Sequence, residues 1–445
     1  MKQHFAPVAP VVPVLRLSIE EEAILEDEMN LHSAELDGIL EDSNRLGDIV
    51  VTMGDAQATV SNTPEIGTME QELVAAVADM AVAGSDANPE DLEKDMLPPA
   101  EGLSAESILE SAGEMIKKIW EGIKALMAKM WDHIKNFFMR IGEFITGTKR
   151  RIAKLEELVE ANGATLKDRT IDAKDVYTGI KAELAVGNEA TKAVGKDYSE
   201  LVAWFKNAAN GMVDASKHSM AGGTKVLEGF LRNPKLVDNN LKVFTHDLIN
   251  PLEELGKSLG VTWVYGEDKA KESKDLIGSI YVWGWLPSEP FHDKHSYTAP
   301  TTLASLKQVT SSLSLRQNRA VADLTNGPKS VPLTNSIDEI KKALSAAQDY
   351  VKLVEGRGRL IAELGDENKK TRDALDKLVA EATTSEKLDA DSKAVVKELL
   401  VINSKMSGMF TKALQDSFST VNRTSNCVLD YCIQSCELKP LKQAA

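Results

Sequence analysis

One stretch of the chain, residues 104–145, repeats apolar side chains at steps of three and four residues along its whole length. Such steps place these side chains on one side of an α-helix, because the helix turns once every 3.6 residues. The opposite side carries lysine and arginine, diluted by a few acidic residues. The spacing therefore predicts a basic amphipathic helix of about forty residues. Its expected interaction face consists of Ile116, Ile119, Trp120, Ile123, Met130, Ile134, Phe137 and Ile141.

This apolar face has three alternative uses, and the sequence leaves all three open. It can pack against other helices of the same chain, dock on identical or related chains, or lie on a membrane surface. In the third case Trp120, Trp131, Phe137 and Phe138 would lie at the interface between water and lipid. The mixed charges of the polar side weaken that case, and no run of about eighteen apolar residues predicts a membrane span.

Charge divides the chain sharply at the beginning of this helix. Residues 1–106 hold four basic and 23 acidic residues, a net charge of −19, whereas residues 107–445 hold 48 and 45, a net charge of +3. A polar segment broken by prolines, 85–102, lies just before the boundary. Such a segment is where a protease finds extended backbone. The first quarter therefore has the character of a solvating, partner-docking or masking leader.

The remainder is rich in Ala, Leu, Lys and Glu, and helical spacing recurs between Gly, Asn and Pro signals. Turns are expected at 147–151 and 222–225, and loops at 286–300 and 317–335. Two β-branched and aromatic runs, 261–265 and 279–285, form the expected strand pair. Helices are expected at 152–161, 171–184, 198–212, 224–231, 240–259, 337–364, 368–383 and 390–438.

The predicted fold class is mainly α. We expect an elongated helical bundle of long helices, with one small β-hairpin insertion at about 261–285 and a partly disordered acidic N-terminal leader. The expected domains are the leader or propeptide at 1–106, a helical domain at 107–260 that contains the amphipathic helix, a hairpin and loop insertion at 261–300, and a C-terminal long-helix domain at 301–445.

No arrangement of residues in the sequence meets the requirements of a catalytic or cofactor site. The segment 256–258 lacks the upstream glycine of a phosphate-binding loop, and the segment 292–295 offers two histidines and an aspartate without a third metal ligand in register. Cys427, Cys432 and Cys436 lack the Cys-x-x-Cys pair of metal sites and are expected to be buried as small hydrophobic residues. We expect no enzyme activity, no cofactor and no metal.

An acidic leader, the segment Leu103-Ser104-Ala105-Glu106, a basic amphipathic helix and a long helical body follow one another in this chain. This layout resembles the internal head, or inner-body, proteins of phiKZ-like giant bacteriophages. The resemblance implies that a prohead protease removes a propeptide after a Ser-x-Glu site. Ser104 would then be the specificity residue, Glu106 would precede the cut, and Ser107 would become the new N-terminus. Ser18 with Glu20, and Ser33 with Glu35, match the same pattern as secondary sites.

The function expected from this resemblance is that of a structural protein of the phage head interior. It would enter the prohead from the host cytoplasm as a precursor, be trimmed during maturation, and could be ejected with the DNA. Its expected partners are the prohead protease, other head-interior or scaffold proteins, further copies of itself and, by proximity, packaged DNA. The alternative is an ejected effector that acts on host membranes through the 107–145 helix.

Overall fold

The computed structural model describes seven positions of the acidic leader and most of the body. The described residues are 24, 27, 28, 31, 34, 35, 38, 105–167, 176–178, 182–186, 189–234, 255, 276–278, 280–285, 292–293, 296–297, 302–303, 306–307, 314–319, 330–333, 336–384, 388 and 390–437.

Seven α-helices make up most of the described body. They are α1 (Ala105–Met139), α2 (Ile141–Phe144), α3 (Thr146–Lys167), α4 (Val194–Arg232), α5 (Ile337–Glu355), α6 (Gly358–Thr384) and α7 (Ala390–Glu437). The start of α5 follows from its sequence, because the Ser336 hydroxyl accepts a hydrogen bond from the Glu339 amide as a helix N-cap. The mainly α fold class predicted from composition and spacing is confirmed.

The C-terminal helix α7 lies at the centre of this bundle. It packs against α4, α3 and α1, while α5 packs on α4 and α3, and α6 packs on α4 and α1. With 48 residues, α7 is about 70 Å long at 1.5 Å per residue. Contact with several helices buries it on most sides, and small polar side chains such as Ser417 and Thr424 are buried there beside Phe410 and Phe418. One hydrophobic cluster includes residues from α1 through α7.

A buried polar side chain fixes the position of α7 relative to three other helices. The Asn422 side-chain oxygen accepts hydrogen bonds from the Thr148 hydroxyl at 3.1 Å and from the Tyr350 hydroxyl at 3.3 Å. Its side-chain nitrogen donates to the Phe144 carbonyl oxygen at 3.3 Å. Because a buried polar group is costly when its partners are lost, this arrangement favours one register of α2, α3, α5 and α7.

Four antiparallel two-stranded pairs accompany the helices among the described residues. They are β1 (Val176–Thr178) with β8 (Ser330–Pro332), β2 (Ala185–Val186) with β3 (Glu189–Ala190), β4 (Ile280–Trp285) with β7 (Ser314–Arg319), and β5 (His292–Asp293) with β6 (Ser296–Tyr297). The first pair is held on α7 by Tyr431, whose hydroxyl donates to the Pro332 carbonyl and whose ring packs edge-on against Tyr177.

The strand expected at 279–285 is confirmed as β4, and the structure pairs it with β7, a pairing that was not expected. Ile280 lies opposite Arg319 and Trp285 lies opposite Ser314, so the pair is closed by a longer connection than a hairpin within 261–285 would have. The expected partner, 261–265, lies outside the described residues. The prediction of a loop at 317–335 was wrong in two places, because β7 extends to Arg319 and β8 occupies Ser330–Pro332. Polar strands such as β7 lack the β-branched and aromatic residues by which strands are recognised in a sequence.

Several helix boundaries also differ from the expected ones. The helix expected at 171–184 was wrong, because that segment contains β1 and a 3-10 turn at Ala182–Leu184. The helices expected at 198–212 and 224–231 are one helix, α4, and the turn expected at 222–225 lies inside it. At Gly223 an added Cβ would lie 2.5 Å from Asn403 Nδ2, so this glycine permits close contact between α4 and α7 and does not end a helix.

The long amphipathic helix ends earlier than its apolar spacing predicted. The chain bends at Arg140, between α1 and α2, and the basic turn expected at 147–151 lies within α3. The helices expected at 337–364 and 368–383 instead meet near Gly356. Gly365 lies inside α6 and faces Trp131 of α1. A Cβ at this position would lie 2.5 Å from the indole ring, so a side chain larger than that of glycine would not fit.

Candidate functional site: the start of α1 and the leader contact

The expected processing site lies at the start of α1. The helix begins at Ala105, so Ala105, Glu106 and Ser107 belong to its first turn, while Ser104 lies outside the described residues. The first turn of a helix has amide groups without intrahelical partners and opens more easily than the interior. The bond between Glu106 and Ser107 is therefore at a point where local opening costs least for this helix.

The expected interaction face of α1 is largely turned into the body. Trp120, Met130, Ile134, Phe137 and Ile141 are all buried and belong to the main hydrophobic cluster. The side chains of Ile116, Ile119 and Ile123 lie outside those that the structure describes. Of the three alternative uses of this face, packing within the chain is the one seen for the five described residues.

Aromatic contacts show how firmly the end of α1 is held. The Phe137 ring is fully buried and packs edge-on against Phe138 and Phe418, with ring centroids 5.2 and 5.5 Å apart. Phe144 of α2 lies 5.5 Å away from the same ring. Aromatic pairs at this separation add to the stabilisation from buried area. This region of α1 is therefore part of the core of the bundle.

A polar contact joins the middle of α1 to α6. The Trp120 indole nitrogen donates a hydrogen bond to Asp376 Oδ1 at 2.6 Å, and Lys124 Nζ lies 3.0 Å from the same oxygen. Burial acts to raise the pKa of Asp376, but the hydrogen bonds from Trp120 and Lys124 outweigh it and lower that pKa below its ordinary value. Asp376 therefore stays ionised and accepts the hydrogen bond from the indole N–H of the buried Trp120.

The acidic leader contacts His133 near the end of α1 and Arg140 just after it. Its seven described residues, which lie between Ile24 and Gly38, are all helical. Glu28 Oε2 lies 2.5 Å from Arg140 Nη2, and Glu35 Oε2 lies 3.4 Å from His133 Nδ1. The two acidic residues are seven apart in sequence, as are their two partners, and the order is reversed. The leader residues therefore run antiparallel to α1.

Arg140 is held by the body as well as by the leader. Its Nε donates to Glu143 Oε2 at 3.0 Å, and its guanidinium carbon lies 5.7 Å from the centre of the buried Phe144 ring. The hydrogen bonds to Glu143 and then to Glu28 raise the pKa of Arg140 above its ordinary value, against the opposing effect of burial. Glu28 thus binds a cation whose position the bend between α1 and α2 already fixes.

The candidate metal ligands and cysteines of the sequence have structural roles wherever the structure describes them. His292 and Asp293 form the short strand β5, opposite Tyr297 and Ser296, while 256–258 and His295 lie outside the described residues. The burial expected for Cys427, Cys432 and Cys436 is confirmed, and all three are thiols outside any disulfide. Burial raises the pKa of the Cys432 thiol. Across the described parts of the chain, no cluster of His, Cys, Asp and Glu could hold a metal ion.

Sequence reasoning missed the contact between leader and body. Glu35 was expected only as part of a secondary processing site, and Glu28, His133 and Arg140 were not singled out. The signal that could have found them is the equal seven-residue spacing of two acidic residues and two basic or titratable residues on two amphipathic helices. Such spacing becomes informative only when the two segments are known to lie side by side.

A comparison with protein-family models gives one match. The model of the phiKZ-like phage internal head proteins matches residues 32–434. The match includes Glu35 of the leader and almost all of the described body. No curated protein and no solved structure matches the chain. Among the described helices, none has the length and apolar character needed to cross a membrane.

Proposed function

The chain belongs to the phiKZ-like phage internal head proteins, and from this membership we propose that it is made as a precursor and trimmed after Glu106. Membership itself makes it a structural protein of the capsid interior. The proposal adds that the acidic leader accompanies the body from the host cytoplasm into the prohead and is removed there. The prohead protease would recognise Ser104 and Glu106 and leave Ser107 as the mature N-terminus.

One observation carries this proposal: the charge boundary coincides with the beginning of the folded body. The net charge changes from −19 to +3 at residue 106, and α1 begins at Ala105. A cut at this point would remove the whole acidic excess while leaving nearly all of α1 intact. A cut a few turns later would remove core residues such as Trp120, and one well before it would leave acidic residues on the body.

The electrostatic consequence gives the leader a role before the cut and a reason for its removal. A strongly acidic leader keeps the precursor soluble and attracts positively charged assembly partners, including scaffold or other head-interior proteins. It also repels DNA, whose phosphates carry dense negative charge. After the cut, a body of net charge +3 can lie beside packaged DNA without that repulsion. Peptide hydrolysis makes the change irreversible, and the trimmed body could then leave the head with the DNA.

Mass spectrometry of purified virions tests the proposal directly. We expect an N-terminus at Ser107 and no peptides from residues 1–106 in mature particles. A phage that carries Glu106→Gln should keep the leader or fail to mature. The matched control Glu101→Gln changes a nearby glutamate with no serine two residues before it, so its processing should be normal. Mature wild-type particles that retain Met1 would contradict the proposal.

The membrane-acting alternative gains no support from the arrangement of α1. A helix that binds a lipid surface must present its apolar face to that surface, but Trp120, Met130, Ile134, Phe137 and Ile141 are buried inside the body. Co-sedimentation of the trimmed protein with anionic and neutral liposomes provides the test. Binding that is lost in a Trp120→Ala, Trp131→Ala variant would revive the alternative, and absence of binding would remove it.

A further inference from the structure

The contact between leader and body is built from polar groups that remain partly exposed to water. The Arg140 and Glu28 side chains are 37% and 35% exposed, and Glu35 is 50% exposed opposite the mostly buried His133. The two large apolar residues described in the leader, Ile24 and Leu31, are 56% and 59% exposed. The described leader residues therefore contribute no buried apolar anchor to this contact.

Contacts of this kind are weak and depend on covalent attachment. An exposed ion pair changes an equilibrium constant by a factor of about five at most, because water and salt screen the charges. The two described contacts are by themselves too weak to hold a separate peptide on the body at ordinary concentrations. While leader and body are one chain, attachment supplies a high effective concentration and makes the contact intramolecular. A cut between them removes that advantage, so the leader should then leave α1.

The same contact involves a secondary processing site. Glu35 is the residue that precedes the candidate cut in the Ser33-Ala34-Glu35 segment, and a protease specific for this pattern must bind its carboxylate. In the docked leader that carboxylate faces His133, and Ala34 and Glu35 are helical. Proteases bind their substrates as extended backbone, so a helical and docked segment must first detach and unfold. Docking therefore opposes a cut after Glu35.

From these observations we propose that Glu28 and Glu35 of the leader form a releasable clasp, in which they bind Arg140 just after α1 and His133 of α1. The clasp shields the bond after Glu35 until the cut after Glu106 has released the leader, so that the two cuts occur in a fixed order. This inference rests on the proposed trimming for its biological meaning, but the clasp itself can be tested without it. The occupant of the α1 surface is the leader of the same chain.

Limited proteolysis of the uncut full-length protein by a glutamate-specific endoprotease measures the shielding. The readout is the initial rate at which a new N-terminus appears at Leu36, under conditions of at most one cut per chain. In a His133→Gln, Arg140→Gln variant we expect this rate to rise about five-fold, because both leader contacts are removed. The matched control Lys129→Gln removes an exposed charge from the same helix and should leave the rate unchanged.

Two further measurements separate the clasp from a general effect on stability. Glu28→Arg and Arg140→Glu should each raise the rate, and the combined variant should lower it again by restoring an opposite-charge pair. Added salt should accelerate the cut in the wild type and have little effect on the doubly substituted variant. Equal rates in the wild type and the His133→Gln, Arg140→Gln variant would overturn the clasp. Shielding that grows with protein concentration would also overturn it, because the leader would then bind a neighbouring chain.

The order of the cuts is tested separately in infected cells. Samples taken during head maturation should contain chains cut after Glu106 before any chain is cut after Glu35, and Glu106→Gln should slow the second cut. Chains that begin at Leu36 and still contain an intact Glu106–Ser107 bond would overturn the order. If virions contain no Ser107 terminus but the purified protein still shows shielding, trimming fails and the clasp stands. If Ser107 is found but no shielding is measured, the clasp fails and trimming stands.

Discussion

The end of α1 makes two kinds of contact, one with the body and one with the leader, and the difference between them matches the proposed fates of the two partners. Towards the body, α1 buries Phe137, Ile134 and Met130 among the side chains of the bundle. Towards the leader, His133 of α1 and Arg140 at the bend after it contact partly exposed carboxylates. Burial of apolar area is worth several kcal/mol per large side chain, whereas an exposed ion pair is worth about 0–1 kcal/mol. The same helix can therefore hold the body permanently and the leader only until it is cut.

The largest effect that could break this comparison is expected at Phe137. Phe137→Ala should lower the free energy of unfolding by about 3–5 kcal/mol, because it removes a fully buried ring and leaves a cavity beside Phe418. Met139→Ala, two residues away and 65% exposed, should change it by no more than about 0.5 kcal/mol. Chemical denaturation followed by circular dichroism checks both. Similar effects at the two positions would mean that α1 is not anchored through this face.

A smaller loss is expected at the polar centre of the body. Asn422→Ala should lower the free energy of unfolding by about 2–3 kcal/mol, because the Phe144 carbonyl and the Tyr350 hydroxyl lose a buried partner. Thr148 keeps its hydrogen bond to Asn426 Oδ1 at 2.7 Å, which limits the loss. Thermal unfolding of Asn422→Ala beside Tyr350→Phe separates the contributions. A Tyr350→Phe variant that loses as much as Asn422→Ala would shift the central role from Asn422 to the tyrosine.

Two glycines of α4 should respond in opposite directions to the same change. Gly223→Ala should destabilise by about 1–3 kcal/mol, because its Cβ would lie 2.5 Å from the buried Asn403 side chain. Gly229→Ala meets nothing within 4 Å and should stabilise the protein by up to about 1 kcal/mol, since alanine favours the helix. Thermal unfolding of the two variants provides the comparison. A stabilising Gly223→Ala would show that α4 and α7 can separate at this point without cost.

These glycines also show what a sequence can and cannot reveal about this fold. Long apolar periodicity predicted the starts of α1 and α5 and both ends of α7 to within one residue, because the 3.6-residue repeat persists over many turns. Gly223 was expected in a turn before a helix, and a helix was expected to end just before Gly365, but each glycine permits close approach of a second helix. A glycine that ends a helix and one that accommodates a neighbour are identical in a single sequence. The neighbour's identity is information that only the tertiary structure contains.

The candidate site also has one part that the sequence revealed and another part that only the structure revealed. The start of α1 and the charge boundary were both evident, because charge composition and helix periodicity are properties of contiguous residues. The pairing of Glu28 with Arg140 joins residues 112 apart, and no local pattern specifies which basic residue an acidic one will meet. The pairing of β4 with β7 was not foreseen for the same reason, since β7 lies beyond a long connection and is mostly polar. Interactions between distant segments therefore required the structure.

The smallest effect on the free energy of unfolding is expected at the contact between leader and body. Glu28→Gln and Arg140→Gln should each change the free energy of unfolding of the body by no more than about 1 kcal/mol, because the pair is partly exposed. Arg140→Gln should cost slightly more, since Arg140 also binds Glu143 and lies against Phe144. A double-mutant cycle at low and high salt isolates the pair, and its coupling energy should fall as salt rises. A coupling of several kcal/mol that persists in salt would mean that the leader is a fixed part of the fold, and a cut after Glu106 would then not release it.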